Sequence, residues 1–272
     1  MIKNKIMEKV KINMIGGGFQ HDVCTSSGSV PKYVEWVKDK SSNISIHIDD
    51  AIKWPTDRSK KNYAWLVESS AIIPQVIQWI PSNIPYLEEN YDDIFTCDKR
   101  LLGLSNKFKL TLCASTVPRV KNCGIHPKTK MVSMITSAKT MCPGHNYRLT
   151  KVEKYRGKVD HFGLGFNYID KKETGLNDYF FSFAMLNDYY PNYFTEILTD
   201  CFATGAVPIY LGHPFINEFF NEDGIIVLTD DFKVEDLSTE LYYSKMDAIK
   251  DNFERIMNLP ISEDYLYEKY IK

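Results

Sequence analysis

Three charged residues of this 272-residue chain stand where regular elements begin or end, and each could do chemistry. Glu68, in WLVESS (65–70), follows an apparent strand and precedes a helix expected from Ile72. A carboxylate there can accept a proton, and a base with a pKa near the operating pH contributes roughly 10²–10⁴-fold. It can equally cap or salt-bridge the helix, although Ser69 and Ser70 would cap as well. Arg148, in CPGHNYR (142–148), falls in the first turns of a helix expected over 146–155. Its guanidinium fork matches phosphate oxygens bidentately, and a helix amino terminus adds positive charge; the alternative is an ordinary exposed helical arginine. Glu196 opens another helix, just after Asn187, Tyr193 and Thr195. An acid in a first turn also favours the helix dipole whatever it binds. Lys139 precedes Arg148 in the same loop, Gly163 could admit a phosphate or merely turn the chain, and His145 and His213 flank the loop that begins at Asn187.

The elements that must hold these groups are clearest in residues 179–212, YFFSFAMLNDYYPNYFTEILTDCFATGAVPIYLG. Residues 180–186 form a nearly continuous apolar run, as in a strand buried on both faces. After the polar loop 187–192, Phe194, Ile197, Leu198, Cys201 and Phe202 make a helical stripe, with Gly205 placed for a left-handed cap. Residues 206–211 are a second strand. Such a unit predicts a right-handed parallel crossover whose ligand-binding loops follow the strand carboxyl ends.

The same stretch carries a resemblance. An aromatic strand, an Asn, Tyr-x-Thr-Glu opening a helix and then Gly-Ala-Val-Pro-Ile-Tyr-x-Gly resemble the donor-binding segment of the α-1,3-fucosyltransferases, glycosyltransferase family ten. Asn187, Tyr193, Thr195, Glu196, Gly205, Val207, Pro208 and Gly212 match. Leu186 stands where the family has Glu, and Ile197 where it has the Lys that contacts the donor diphosphate. WLVESS is similar to the family's Trp-x-x-x-Glu-Ser-Pro element, with one spacer fewer and Ser70 for Pro. The resemblance implies an inverting, metal-independent transferase moving a sugar from a nucleoside diphosphate to an acceptor hydroxyl. It implies Glu68 as general base, Arg148 as the diphosphate ligand and Glu196 as the ribose ligand, with Asn187, Tyr193 and Thr195 lining the donor loop. Position suggests Lys139 as the charge that Ile197 no longer provides, with His145 and Gly163 as further donor-side candidates. No cofactor is expected beyond the donor, a GDP-sugar or alternatively a UDP-sugar, and the expected acceptor is a glycan.

Bulk properties accord with an enzyme of this kind. Hydrophobic content of 44%, charged content of 25% and a net charge of −2 are ordinary for a globular chain and weigh against a general nucleic-acid binder. A nucleic-acid acceptor remains an alternative through the basic loop 119–128, as does an inactive relative that only binds nucleotide or glycan. No apolar run approaches the ~18–20 residues of a membrane span, and the amino terminus is too interrupted for a signal peptide, so a cytoplasmic location is expected. The six cysteines form no CxxC pair, and free thiols are expected.

Strands alternating with helices predict an α/β fold of two Rossmann-like domains facing across a cleft, the GT-B type. The expected domains are 1–128, on the acceptor side, and 129–261, holding the nucleotide sugar, with a helix over 262–272 capped by Ser262 packing back on the first. In the amino-terminal half, strands are expected at 10–15, 44–48, 63–67, 94–97 and 109–112, and helices at 30–38, 72–80 and 85–90. Gly16-Gly17-Gly18-Phe19 after the first strand is read as close backbone approach or an acceptor contact rather than a dinucleotide fingerprint. The adjacent acids Asp49-Asp50, Asp92-Asp93 and Asp230-Asp231 would point to opposite strand faces and make no metal site.

Overall fold

The computed structural model describes residues 8–17, 23–39 and 41–272, so Gly18 and Phe19 of the glycine turn lie outside it. The chain divides into two compact units. One comprises the described residues up to Ser115 with Pro260–Lys272, and the other is Thr116–Leu259. The division falls after Ser115 rather than after Lys128, because residues 116–128 are bonded into the second unit. The Thr199 hydroxyl donates to the Thr116 carbonyl (2.9 Å), Asp200 accepts from the Arg119 and Val120 amides (2.6 and 3.1 Å), and Lys128 Nζ donates to the Leu176, Asn177 and Thr204 carbonyls (3.3, 2.8 and 2.7 Å).

The first unit holds six parallel strands: β1 (Val10–Ile15), β2 (Val34–Val37), β3 (Ile44–Ile48), β4 (Lys61–Leu66), β5 (Asp93–Thr96) and β6 (Phe108–Leu110), in spatial order β2-β1-β3-β4-β5-β6. Helices α1 (Pro74–Trp79) and α2 (Ile84–Asn90) each begin with a proline in the first turn, where its missing N–H is no loss. With the turn Ile80–Asn83 between them, they cover one face through Val76, Ile80 and Leu87 packed on Ala64, Leu66 and Ile94. Residues 30–38 contain a strand, not the expected helix. Val30, Val34 and Val37 imitate a helical stripe, but Val34-Glu35-Trp36-Val37 alternates buried and exposed at its first two positions and pairs in parallel with β1, Val34 opposite Val10. β-branched and aromatic residues at a sheet edge override the weak stripe.

The second unit holds five parallel strands: β7 (Lys130–Ile135), β8 (Asp160–Phe162), β9 (Tyr179–Met185), β10 (Val207–Leu211) and β11 (Ile226–Val227), ordered β11-β10-β9-β7-β8. Its helices are α3 (Pro143–Lys154), α4 (Glu196–Thr204), α5 (Thr239–Ser244) and α6 (Met246–Met257). All seven residues of β9 are buried, so the apolar run in the sequence reflects a central strand covered on both faces. Thr195 caps the start of α4, its hydroxyl accepting from the Ile197 amide (3.4 Å), and Gly205 ends it at φ 73°.

In both sheets the chain starts centrally, adds one strand to one side, then continues on the other. The direction in which strands are added therefore reverses between β1 and β3 in the first unit and between β7 and β9 in the second. At such switch points the loops diverge and leave a crevice at the carboxyl edge, the usual ligand position in open α/β sheets.

The carboxyl-terminal segment, α7 (Ser262–Leu266) and the following turn Tyr267–Ile271, closes the other face of the first sheet. Tyr267 stacks on Tyr33 (centroids 5.2 Å apart) and Tyr270 on Phe95 (5.4 Å), while Leu266 and Ile271 join the β1–β3–β4 core. Ser262 is not the cap; that position belongs to Ile261, and the Ser262 hydroxyl donates to the Cys113 carbonyl (2.7 Å). Glu263, 1% exposed, fastens the segment by accepting from the Thr25 amide (2.6 Å) and hydroxyl (2.9 Å). Glu263→Ala strands both donors in a dry site and is expected to destabilise the first unit by about 2–4 kcal/mol. Denaturant melts with hydrogen exchange over residues 262–271 check this.

Candidate functional site

The switch point of the second unit collects most of the candidate residues. The loop after β7 leads into α3, and the loop after β9 leads into α4. The two loops meet where Gly144 presses on Asn187: a Cβ on Gly144 would lie 2.1 Å from the Asn187 carbonyl oxygen. The Cys142 thiol also faces that oxygen (3.7 Å), and the Tyr193 hydroxyl bonds the Asn187 side chain (2.5 Å). The Tyr193 ring in turn packs at a tilt against Tyr190, centroids 4.7 Å apart.

One turn into α3, Arg148 is only 7% exposed. It donates one bond, to the Met185 carbonyl at the end of β9 (3.3 Å), and its buried Nε has no hydrogen-bond partner among the described residues. Burial weakens its hold on the proton, while Cys142, Tyr193, Tyr189 and Glu196 act on it electrostatically in the opposite sense. A buried guanidinium with unspent donors is the state expected of a group awaiting an anion. His145, 6% exposed, accepts the Met141 amide at Nδ1 (3.2 Å). Burial, then Arg148 and Lys139, push its pKa down to about 4, so it is neutral at physiological pH. Lys139 is exposed and acts on this cluster only through its charge.

Glu196, in the first turn of α4, pairs with Arg119 (3.3 Å) and Lys172 (3.5 Å), and Lys172 also bridges to Asp200 (2.5 Å). Burial pushes the Glu196 carboxyl up, but Lys172 and Arg119 outweigh it and hold the group below its ordinary range. Burial likewise opposes the charge on Lys172, and Asp200 and Glu196 raise its pKa above the ordinary value. Arg119, Lys172 and Asp200 escape sequence reading. They come from a connecting segment, a polar turn and the inner face of a helix, and only the tertiary fold joins them.

The remaining candidates belong to other elements. Gly163 ends β8 at φ +125°, with the Thr136 carbonyl oxygen 1.9 Å from where a Cβ would be, so backbone packing alone demands glycine there. Glu68 belongs to the first unit. It is exposed just past β4, its amide donating to Asp49 (3.3 Å). Leu186 is fully buried, its amide in the β10 ladder (2.9 Å to the Leu211 carbonyl), and Ile197 offers no charge. All six cysteines carry free thiols. Among the described residues no group of three or more His, Cys, Asp or Glu is arranged to hold a metal ion, and no helix is long and apolar enough to cross a membrane.

The comparisons with known proteins agree with this geometry. Residues 125–256 match the family model of glycosyltransferase family 10 (fucosyltransferase), C-terminal part. No curated protein sequence matches the chain. Among solved structures, an alpha1,3-fucosyltransferase superposes with a TM-score of 0.54 at 12% identity, covering 100% of this chain and 89% of that one. An alpha1,3-fucosyltransferase with GDP gives 0.51 at 13% identity, covering 96% and 84%. One with GDP-fucose gives 0.50 at 14%, covering 93% and 82%. The second unit thus carries the stretch that matches the family 10 glycosyltransferase C-terminal model, and the chain has the fold of these fucosyltransferases.

Two outcomes test the site. Gly144→Ala forces the two loops apart and is expected to destabilise the second unit by about 1–3 kcal/mol, measured by scanning calorimetry. The second follows from His145. Its folded pKa lies below the ordinary 6.5, so the stability it contributes is present above pH 6.5 and is lost as pH falls toward about 4. The melting temperature should decline more steeply over that window in the natural protein than in His145→Asn, by scanning calorimetry.

Proposed function

We propose that the protein is an inverting, metal-independent glycosyltransferase that moves a sugar from a GDP-sugar to a glycan hydroxyl. The observation that carries this reading is the buried, under-bonded Arg148 beside the amino-terminal turn of α4, within a family 10 domain. In this reading Arg148 binds the donor diphosphate, Asn187 and Tyr193 line the donor, Thr195 holds the start of α4 in place and Glu196 receives the ribose hydroxyls. Lys139 adds positive charge from the loop before α3, and Arg119 and Lys172 surround the turn from which the family's lysine is missing at Ile197. Neutral His145 fixes the α3 entry loop, and Gly163 serves the backbone.

Glu68 then takes the proton of the acceptor hydroxyl. The acceptor oxygen forms its bond to the anomeric carbon from the face opposite the departing group, the bond from that carbon to the diphosphate oxygen breaks, and the diphosphate leaves with both electrons. The guanidinium and the α4 amino terminus supply positive charge where negative charge grows. A cation is not needed for that role, so activity should persist in excess chelator.

The test pairs binding with turnover. GDP, but not UDP, should raise the melting temperature; at ~100 times its Kd a ligand adds about 2.7 kcal/mol. Arg148→Ala should abolish the shift. Glu68→Gln should keep it while lowering kcat by roughly 10²–10⁴-fold, and NMR of the product should show the anomer opposite to that of the donor. A shift with UDP alone would keep the chemistry and replace the donor. Nucleotide binding without turnover of any sugar donor would make the chain a binding relative.

A further inference from the structure

The first unit has a switch point of its own, between β1 and β3, and its most unusual residue is Asp49. Asp49 directly follows β3 in a left-handed conformation (φ 48°), one of three non-glycine residues with positive φ among those described. Such a conformation is costly for most residues and easiest for Asp and Asn. The turn after β1 packs tightly against it. A Cβ on Gly16 (φ +116°) would sit 2.9 Å from the Ala51 Cβ and 3.1 Å from the Ile48 carbonyl oxygen. From this fixed position Asp49 Oδ1 reaches the neighbouring strand and accepts the amides of Val67 (2.8 Å) and Glu68 (3.3 Å). Asp50, its neighbour in sequence, points elsewhere, to Lys53 (3.0 Å) and Gln75 (3.1 Å). The other adjacent acids are committed to framework bonds: Asp92 accepts the Asn62 amide (2.8 Å), and Asp230 pairs with Lys151 (3.2 Å).

We infer that Asp49 is a positioning residue for Glu68: its carboxylate holds the backbone of 67–68 and so aims the Glu68 side chain, and its own charge couples to that of Glu68. The inference rests on the assignment of Glu68 as base, but the contact itself can be tested without catalysis. Two carboxylates at the ends of adjacent strands disfavour each other's ionisation. The charged groups acting on Asp49 are Glu68, from the end of β4, and Asp50, in its own turn. Burial, only partly offset by the Val67 and Glu68 amides, pushes Asp49 up to about 6.

The experiment uses the full-length chain labelled with ¹⁵N. The Val67 and Glu68 amide resonances should titrate together with a midpoint near pH 6. Asp49→Asn should remove that inflection, and Glu68→Gln should move it to lower pH. In turnover, Asp49→Gly retains the left-handed backbone while losing the carboxylate, and should lower kcat at least tenfold without changing the Kd for GDP. Asp49→Asn should recover most of the loss, because its amide oxygen accepts the same two N–H groups. Amides that do not titrate, or an Asp49→Gly variant with natural kcat, would overturn the inference. If Glu68→Gln turns over normally, the base assignment fails, and the amide titration in the natural protein and Asp49→Asn decides the Asp49 contact on its own.

Discussion

The crevice of the second unit depends on one close approach, that of the Gly144 backbone to the Asn187 carbonyl. Parallel strands β7 and β9 lie side by side, yet the chain leaves them toward different helices, so the crevice between their loops would open without a tie. A glycine at the second position of α3 lets the helix start against the β9 loop with no side chain between. Everything nearby inherits that distance. Arg148, one turn on, arrives beneath the Met185 carbonyl, Cys142 faces the Asn187 oxygen, and Tyr193 closes on the Asn187 side chain. Pro143 at the helix start suits this arrangement, since it fixes φ where no amide partner is required.

That tie holds charged groups in a dry place, which is unfavourable unless they are paired. The second unit pairs most of them. Asp200 is satisfied by two amides and Lys172, Lys128 by three carbonyls, and Glu196 by two cations. These contacts make the connection 116–128 part of the domain rather than a linker, and they fix α4 from its buried side. Arg148 differs: among the described residues it holds one carbonyl and leaves a buried nitrogen unpartnered. A fold that satisfies its other cations so fully and leaves this one short is bearing a local cost, and such sites are where function is expected.

Much of the architecture is legible in the sequence, for reasons that also explain the misses. β9, buried along its whole length, reads as an apolar run, and α4 shows both its stripe and its Gly205 stop because covering and capping leave residue-level marks. β2 is four residues at an edge, too short for its alternation to outweigh a chance helical spacing. Ser262 looks like a cap but is spent on Cys113, a contact 149 residues away that local pattern cannot encode. The motif over residues 187–212 was legible because its residues are contiguous. Arg119 and Lys172 were not, since their roles come from tertiary approach to Glu196. Asp49 was hidden by Asp50: as a pair they suggest opposite faces of a strand, whereas the left-handed turn separates them and turns Asp49 toward β4.

The two units repeat one strand topology with opposite charge at the switch point. The first presents carboxylates at Asp49 and, one strand over, Glu68; the second presents a guanidinium and a helix amino terminus. Under the proposed sugar transfer, the two charges have opposite tasks. A base strong enough to take a hydroxyl proton is an anion, and the departing diphosphate is an anion that gains charge as the bond breaks. Two unit charges 4 Å apart interact by about 4 kcal/mol at the effective dielectric near a protein surface, enough to erase much of what a positioned base contributes. The pKa of each group is set by what its own unit packs around it. Burial raises Asp49 in the first unit, and in the second Arg148 is buried while Cys142, Tyr193, Tyr189 and Glu196 act to keep its charge.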